Sequence, residues 1–90
     1  ESAYLLPSDS RLITEADLAG MDQQQVALAR NEIYARHGRT FRNEIYQNYF
    51  DSQDWYTPDP NYSDDTVSLS ETEKANAQFI LAYEQAKGWQ

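Results

Sequence analysis

The decapeptide ARNEIYARHG at Ala29–Gly38 contains the only histidine of the chain and two of its seven cationic residues. At about 100° per residue, a helix through this stretch places Arg30, Ile33 and His37 on one apolar face. Ala35 falls on the opposite side of the same helix. A helix with apolar residues on two sides is typical of the centre of a fold. The sequence therefore predicts that the rest of the chain packs around this helix.

Helix start and stop signals recur along the remaining sequence. Gly38 is placed to end the central helix in a left-handed conformation. Ser70 and Glu73 form an S-x-x-E capping box, which predicts the start of the last helix. No alternating strand pattern of any length is present, so the predicted fold class is all-α, a small single-domain bundle of about four helices over residues 1–90. The predicted elements are an extended lead-in at 1–13, helices at about 14–19, 23–37, 43–53 and 71–87, and a long Pro/Asp-rich loop at 54–68.

The charged residues on the apolar face of the central helix need partners, because an unpaired buried charge is costly. Arg30 is expected to be buried and paired with Glu73 or Asn76 of the last helix, or with the acidic loop. Two interpretations remain open: a structural polar core, or a pocket for an anion or carboxylate. The predicted polar core network consists of Arg30, Asn31, Glu32, Arg36, His37, Glu73 and Asn76.

The long loop carries the candidate ligand-binding residues Trp55, Tyr56 and Tyr62. Aromatic side chains stack on flat apolar faces, including those of sugar rings, and keep a polar edge in water. The alternative is that these rings belong to the core, because a domain of this size has few other large apolar side chains.

Composition excludes several classes of function. The net charge of −8 argues against nucleic acid and anionic lipid as partners, since both require clustered cations. No apolar run is long enough for direct membrane insertion. One histidine and no cysteine do not make a usual zinc site or a nucleophilic triad, so no catalytic residue, metal or cofactor is predicted.

Charge is distributed unevenly along the chain. Four of the seven cations, all arginines, fall within the thirteen positions from Arg30 to Arg42. Residues 51–73 hold seven acids and no cation. The two zones either attract each other within the fold or define two surfaces.

The string Tyr34-Ala35-Arg36-His37-Gly38 resembles the signature of the YARHG domain family, a family of small bacterial domains. The similarity extends over nearly the whole chain, from Tyr4-Leu5-Leu6-Pro7 to the pattern E-x-x-N-x-x-x-I-x-x-Y that begins at Glu73. The resemblance implies an extracellular domain found in lipoproteins and membrane-anchored proteins, and it carries over no catalytic residue.

These observations favour a non-catalytic extracellular accessory domain of a bacterial envelope protein, anchored or secreted as part of a longer protein. The expected partner is cell-wall glycan or an envelope protein. The alternative is a passive structural spacer that positions a neighbouring domain. A glycan-active enzyme is a remote alternative, because fifteen acidic residues place some pair close together in any fold.

Overall fold

A computed structural model describes residues 4–89, and the predicted all-α fold is confirmed: four helices and no strand occur within these residues. The central helix ends two residues before its predicted end, and the other boundaries lie within two residues of the predicted positions. The helices are α1 (Glu15–Leu18), α2 (Gln23–Ala35), α3 (Glu44–Asp51) and α4 (Glu71–Ala86).

Side-chain caps fix where the three longer helices begin. The Asp22 carboxylate accepts a hydrogen bond from the Gln25 N–H at 2.8 Å, and the Ser70 hydroxyl accepts one from the Glu73 N–H at 3.1 Å. The Asn43 side chain accepts hydrogen bonds from the N–H groups of Ile45 and Tyr46 at the start of α3. Each cap satisfies a helix donor that has no partner within the helix itself.

Helix α2 lies at the centre of the fold and packs against both α3 and α4. One side contributes Val26 and Ile33 to a core cluster that includes Ile80 of α4. The other side contributes Leu28 and Ala35 to a second cluster, which is built around Phe50 and Tyr56. The two apolar sides seen in the sequence therefore separate two cores.

The N-terminal segment departs from the predicted extended lead-in. Residues 1–3 lie outside the described residues. Between Pro7 and Arg11 the chain makes a turn, in which the Pro7 carbonyl accepts hydrogen bonds from the N–H groups of Ser10 and Arg11 at 3.1 and 3.2 Å. The extended prediction is wrong here because Ser8 is fully buried and accepts hydrogen bonds from Arg36, just after α2, and from Asn76 of α4.

Gly38 ends the central helix region in the predicted left-handed conformation, with φ of 98°. The N–H groups of Gly38 and Arg39 bond back to the carbonyls of Ala35 and Tyr34, which is the Schellman arrangement. The Gly38 carbonyl accepts a hydrogen bond from the Asp59 N–H at 2.9 Å. One glycine therefore both turns the chain and anchors the long loop.

We expect Gly38→Ala to destabilise the domain by about 3 kcal/mol, through backbone strain and overpacking together. A Cβ at this position would lie 2.5 Å from Cβ of Asp59. Gly88→Ala is the matched control, since Gly88 also has positive φ but has open space around it, so it should lose about 1 kcal/mol. Chemical denaturation measures both, and equal losses would show that the contact with the loop adds nothing.

Candidate functional site

The buried carboxylate of Glu32 binds the N-terminal segment to α2. Its two oxygens accept hydrogen bonds from the backbone N–H groups of Leu5 at 2.8 Å and Leu6 at 3.3 Å. Arg36, one turn later, donates to the same carboxylate at 3.5 Å. Burial raises the pKa of Glu32, and the two N–H donors and the Arg36 charge oppose that rise.

Arg36 is the central buried cation of this region. Its Nη2 donates to the Ser8 hydroxyl at 2.7 Å and lies 3.7 Å from the Glu73 carboxylate. Its guanidinium also lies over the Tyr4 ring, 4.7 Å from the centroid. Only 6% of the Arg36 side chain is exposed, against 21% for Arg30. Arg30 is paired, as expected, but it is less buried than expected. The most buried guanidinium of this region is that of Arg36, because Arg36 follows Glu32 by one turn on the face that the N-terminal segment covers.

Asn76 of α4 holds the other part of the N-terminal segment. Its Nδ2 donates to the carbonyls of Ser8 at 2.9 Å and Arg11 at 2.8 Å, and its Oδ1 accepts from the Ile13 N–H at 2.8 Å. One buried amide thus satisfies three backbone groups of a segment without regular secondary structure.

His37 and Glu73 connect the end of α2 to the start of α4. The Nε2 atom of His37 lies 3.1 Å from both carboxylate oxygens of Glu73. Glu73 also accepts from the Ser70 N–H at 3.0 Å. Burial tends to raise the pKa of Glu73, but the hydrogen bonds from Ser70 and His37 and the charge of Arg36 outweigh burial and lower that pKa.

Two members of the predicted network lie apart from it. Arg30 donates from Nε to Glu84 of α4 at 2.5 Å, so neither Glu73 nor Asn76 is its partner. Glu84 lies about three helical turns after Glu73, and Arg30 about two turns before His37, which separates the two pairs along α4. Asn31 donates to the Ala27 carbonyl of its own helix at 2.8 Å. The structure therefore brings together Glu32, Arg36, His37, Glu73 and Asn76, with Ser8 added.

Tyr4 is packed between parts of this network and the second core. The Trp55 ring meets the Tyr4 ring edge to face, with centroids 5.1 Å apart. Within residues 4–89, the buried N–H groups of Arg36 Nε and Trp55 Nε1 have no conventional acceptor. Both side chains contact the Tyr4 ring, and the Arg36 guanidinium lies over the face of that ring, which is a weak acceptor of N–H groups.

The three candidate ligand-binding aromatics do not form one surface. Tyr56 is buried, and its hydroxyl donates to the Arg39 carbonyl at 2.7 Å and accepts from Gln47 at 3.3 Å. Trp55 lines a depression beside His37, whereas Tyr62 lines a different groove. The three rings therefore do not form one ligand site. The alternative of core membership holds for Tyr56, and Trp55 packs against the same cluster.

The groove that contains Tyr62 is lined by polar and charged side chains, three of them arginines. Its volume is about 630 Å³, and we call it the arginine groove. Its lining includes Arg30 of α2, Arg39 and Arg42 of the α2–α3 connection, and Asp59, Tyr62 and Asp64 of the long loop. The remaining lining residues are Asn31, Thr40, Phe41, Asn43, Tyr46, Pro60 and Ser63.

The three arginines differ in how they are held. The Arg39 guanidinium lies between the rings of Tyr34 and Phe41, 5.5 and 5.3 Å from their centroids. Such cation–π contacts fix a side chain in place. Arg30 uses its Nε on Glu84, and within residues 4–89 no hydrogen bond involves its two Nη atoms. Arg42 is exposed and has no ion-pair partner in the described chain.

The loop side of the groove is built from short turns. The Asp59 side chain accepts from the Asn61 N–H at 2.9 Å, and the Asp59 carbonyl accepts from the Tyr62 N–H at 3.0 Å. The Tyr62 hydroxyl donates to Asp64 at 2.8 Å. Burial, followed by this hydrogen bond, raises the pKa of Tyr62 well above its usual range. Tyr62 is therefore a neutral hydrogen-bonding group in the groove.

The uneven distribution of charge along the sequence was the signal for the arginine groove. The two charged zones attract each other in two ion pairs, Arg36 with Glu73 and Arg39 with Asp64 at 3.8 Å. Arg42 of the cationic zone has no ion-pair partner within residues 4–89. A cluster of cations that includes such a residue indicates a surface for an anionic group.

Comparison with known proteins identifies the family. The family model of the YARHG domain matches residues 2–85, and the chain therefore belongs to the YARHG domain family. A solved structure from Legionella pneumophila, provisionally named a nutrient binding protein, is similar, with 37% identity and a TM-score of 0.63 over 72% of this chain. This chain spans 20% of that protein's length. No curated protein sequence matches the chain at a significant level.

Two further structural findings concern residues 4–89 alone. No group of three or more His, Cys, Asp or Glu side chains in that range is arranged to hold a metal ion. None of the helices there combines the length and the apolar character that crossing a membrane requires.

The lowered pKa of Glu73 predicts a pH-dependent contribution to stability. A carboxyl with a lowered folded-state pKa stabilises the fold above its unfolded pKa of about 4.5, and this contribution is lost as the pH falls through the folded pKa. Glu73→Gln should therefore lower the free energy of unfolding at pH 7 and cost progressively less below about pH 4.5.

Glu71→Gln is the matched control, because Glu71 lies in the same turn with its side chain 95% exposed. Denaturation series from pH 3 to 7 measure both variants. A Glu73→Gln deficit that is independent of pH would contradict the assignment of the ionised carboxylate to the network.

Proposed function

We propose that this domain is a non-catalytic binding module of a bacterial cell-envelope protein and that the arginine groove is its ligand site. The observation that carries the proposal is Arg42: in a chain of net charge −8, this arginine has no ion-pair partner within residues 4–89 and lines a groove that holds two other arginines. Burying or clustering like charges costs free energy unless a ligand or partner compensates them. A binding role also agrees with the name of the Legionella protein that contains a similar domain.

The ligand that we propose is cell-wall glycan. Phe41 and Tyr46 meet edge to face with centroids 6.3 Å apart, and both line the groove together with Tyr62. Partly buried rings beside hydrogen-bonding groups suit a sugar, which has apolar ring faces and polar edges. The proposed glycan site is therefore the arginine groove. Of the three candidate aromatics Trp55, Tyr56 and Tyr62, only Tyr62 lines it.

The chemistry of the groove supports a binding role more than a catalytic one. Tyr62 is held protonated and donates to Asp64, so it is not poised to remove a proton. His37 is engaged with Glu73 outside the groove. We therefore propose that the domain binds without transforming its ligand, outside the cell, as part of an anchored or secreted protein.

Retention on purified cell-wall sacculi tests this proposal. The wild-type chain should co-sediment with sacculi, and Arg42→Glu should reduce retention at least about tenfold, since charge-assisted hydrogen bonds are worth about 1.5–3 kcal/mol. The free energy of unfolding should stay near the wild-type value, because Arg42 is exposed and has no ion-pair partner within residues 4–89.

Lys74→Glu is the control for net charge. Lys74 is an exposed residue of α4 that does not line the groove, and its substitution changes the net charge by the same amount. It should leave retention unchanged. A wild-type chain that does not bind sacculi would contradict the proposed ligand, and equal losses in the two variants would contradict the proposed site.

A further inference from the structure

The arginines of the groove differ in how they are compensated. Arg30 is paired with Glu84, and Arg39 lies 3.8 Å from Asp64. Arg42 has no ion-pair partner within residues 4–89. Arg42 is therefore the guanidinium of the groove that is available to an anionic group of a ligand.

Arg39 and Arg42 are suited to hold such a group. The Arg39 guanidinium contacts the rings of Tyr34 and Phe41, and Arg42, three residues later, lines the same groove. A guanidinium presents a planar fork that pairs with the two oxygens of a carboxylate. A cation that is already held in place loses less conformational entropy on binding.

We propose that the groove recognises one carboxylate group of its ligand, with Arg42 as the principal ligating residue and Arg39 beside it. This inference rests on the proposed function, and it names the chemical class that the wall ligand must present. Asp59 and Asp64, which also line the groove, disfavour a dianionic phosphate, because their repulsion grows with the charge of the group that enters. In wall glycan, a carboxylate occurs either on a sugar acid or on an attached peptide.

Soluble probes test the carboxylate directly. We would titrate the wild-type chain with acetyl-alanyl-alanine, its C-terminal amide, glucuronic acid, glucose and inorganic phosphate, and follow the Nε–Hε signals of the arginines by NMR. The peptide acid or the sugar acid should shift the Arg42 signal saturably, and its neutral counterpart should not. Whichever acid binds identifies the source of the carboxylate.

Variants at Arg42 separate a ligand contact from general electrostatics. Arg42→Gln should weaken binding of the preferred acid at least about tenfold, and Arg42→Lys should recover only part of the loss because an ammonium lacks the fork. Lys74→Gln should leave binding unchanged. Equal binding of an acid and its neutral counterpart, tighter binding of phosphate, or no binding of either acid would each overturn the inference.

Sacculi whose carboxyl groups have been converted to amides keep this test apart from that of the proposed function. Binding to native sacculi with loss on amidated sacculi supports both proposals. Equal binding to both preparations overturns the carboxylate while the wall-binding function stands. If neither preparation binds, the proposed function fails, and the soluble probes alone then decide whether the groove takes a carboxylate.

Discussion

The guanidinium of Arg36 lies buried between two carboxylates, and the arrangement of the N-terminal segment depends on it. Glu32 and Glu73 belong to helices α2 and α4, and Ser8 belongs to the segment that crosses them. Three charged side chains with little exposure are tolerable only when their hydrogen bonds are made, since an uncompensated buried charge typically costs about 3–5 kcal/mol. This requirement restricts how the two helices and the crossing segment are positioned relative to one another.

The same requirement explains how a segment without regular secondary structure is buried. Leu6 and Ile13 join the first core cluster, but their backbone N–H groups need acceptors away from water. The carboxylate of Glu32 and the amide of Asn76 supply these acceptors. Side chains of two helices thus provide the hydrogen-bond acceptors that a neighbouring strand provides in a sheet.

The signature Tyr34–Gly38 serves both this network and the arginine groove. Arg36 and His37 face the network, and Tyr34 packs against the guanidinium of Arg39 at the groove. Gly38 redirects the chain between the two and binds the loop at Asp59. The structural core and the proposed ligand site therefore meet at the end of α2. A substitution that disturbs the packing at Gly38 would affect both.

The helices were predictable because their signals are local: caps such as Ser70 and the glycine stop at Gly38 act within one turn. The polar residues were found, but their pairing was only partly predictable. The helical wheel placed Arg30 and His37 on one face. It did not show that the N-terminal segment would cover Arg36, one turn after Glu32, or that Arg30 would pair with Glu84. The arginine groove joins residues about twenty positions apart, and no local periodicity reports such a contact.

Amide hydrogen exchange measured by NMR tests the central role of the buried network most directly. The amide protons of Leu5, Leu6 and Ile13 are bound by network side chains, so they should exchange about as slowly as those inside α2, such as Ile33. In Arg36→Met the Leu5 and Leu6 amides should lose protection before Ile33 does. Exchange of these three amides at the rate of an unstructured peptide in the wild-type chain would contradict the account.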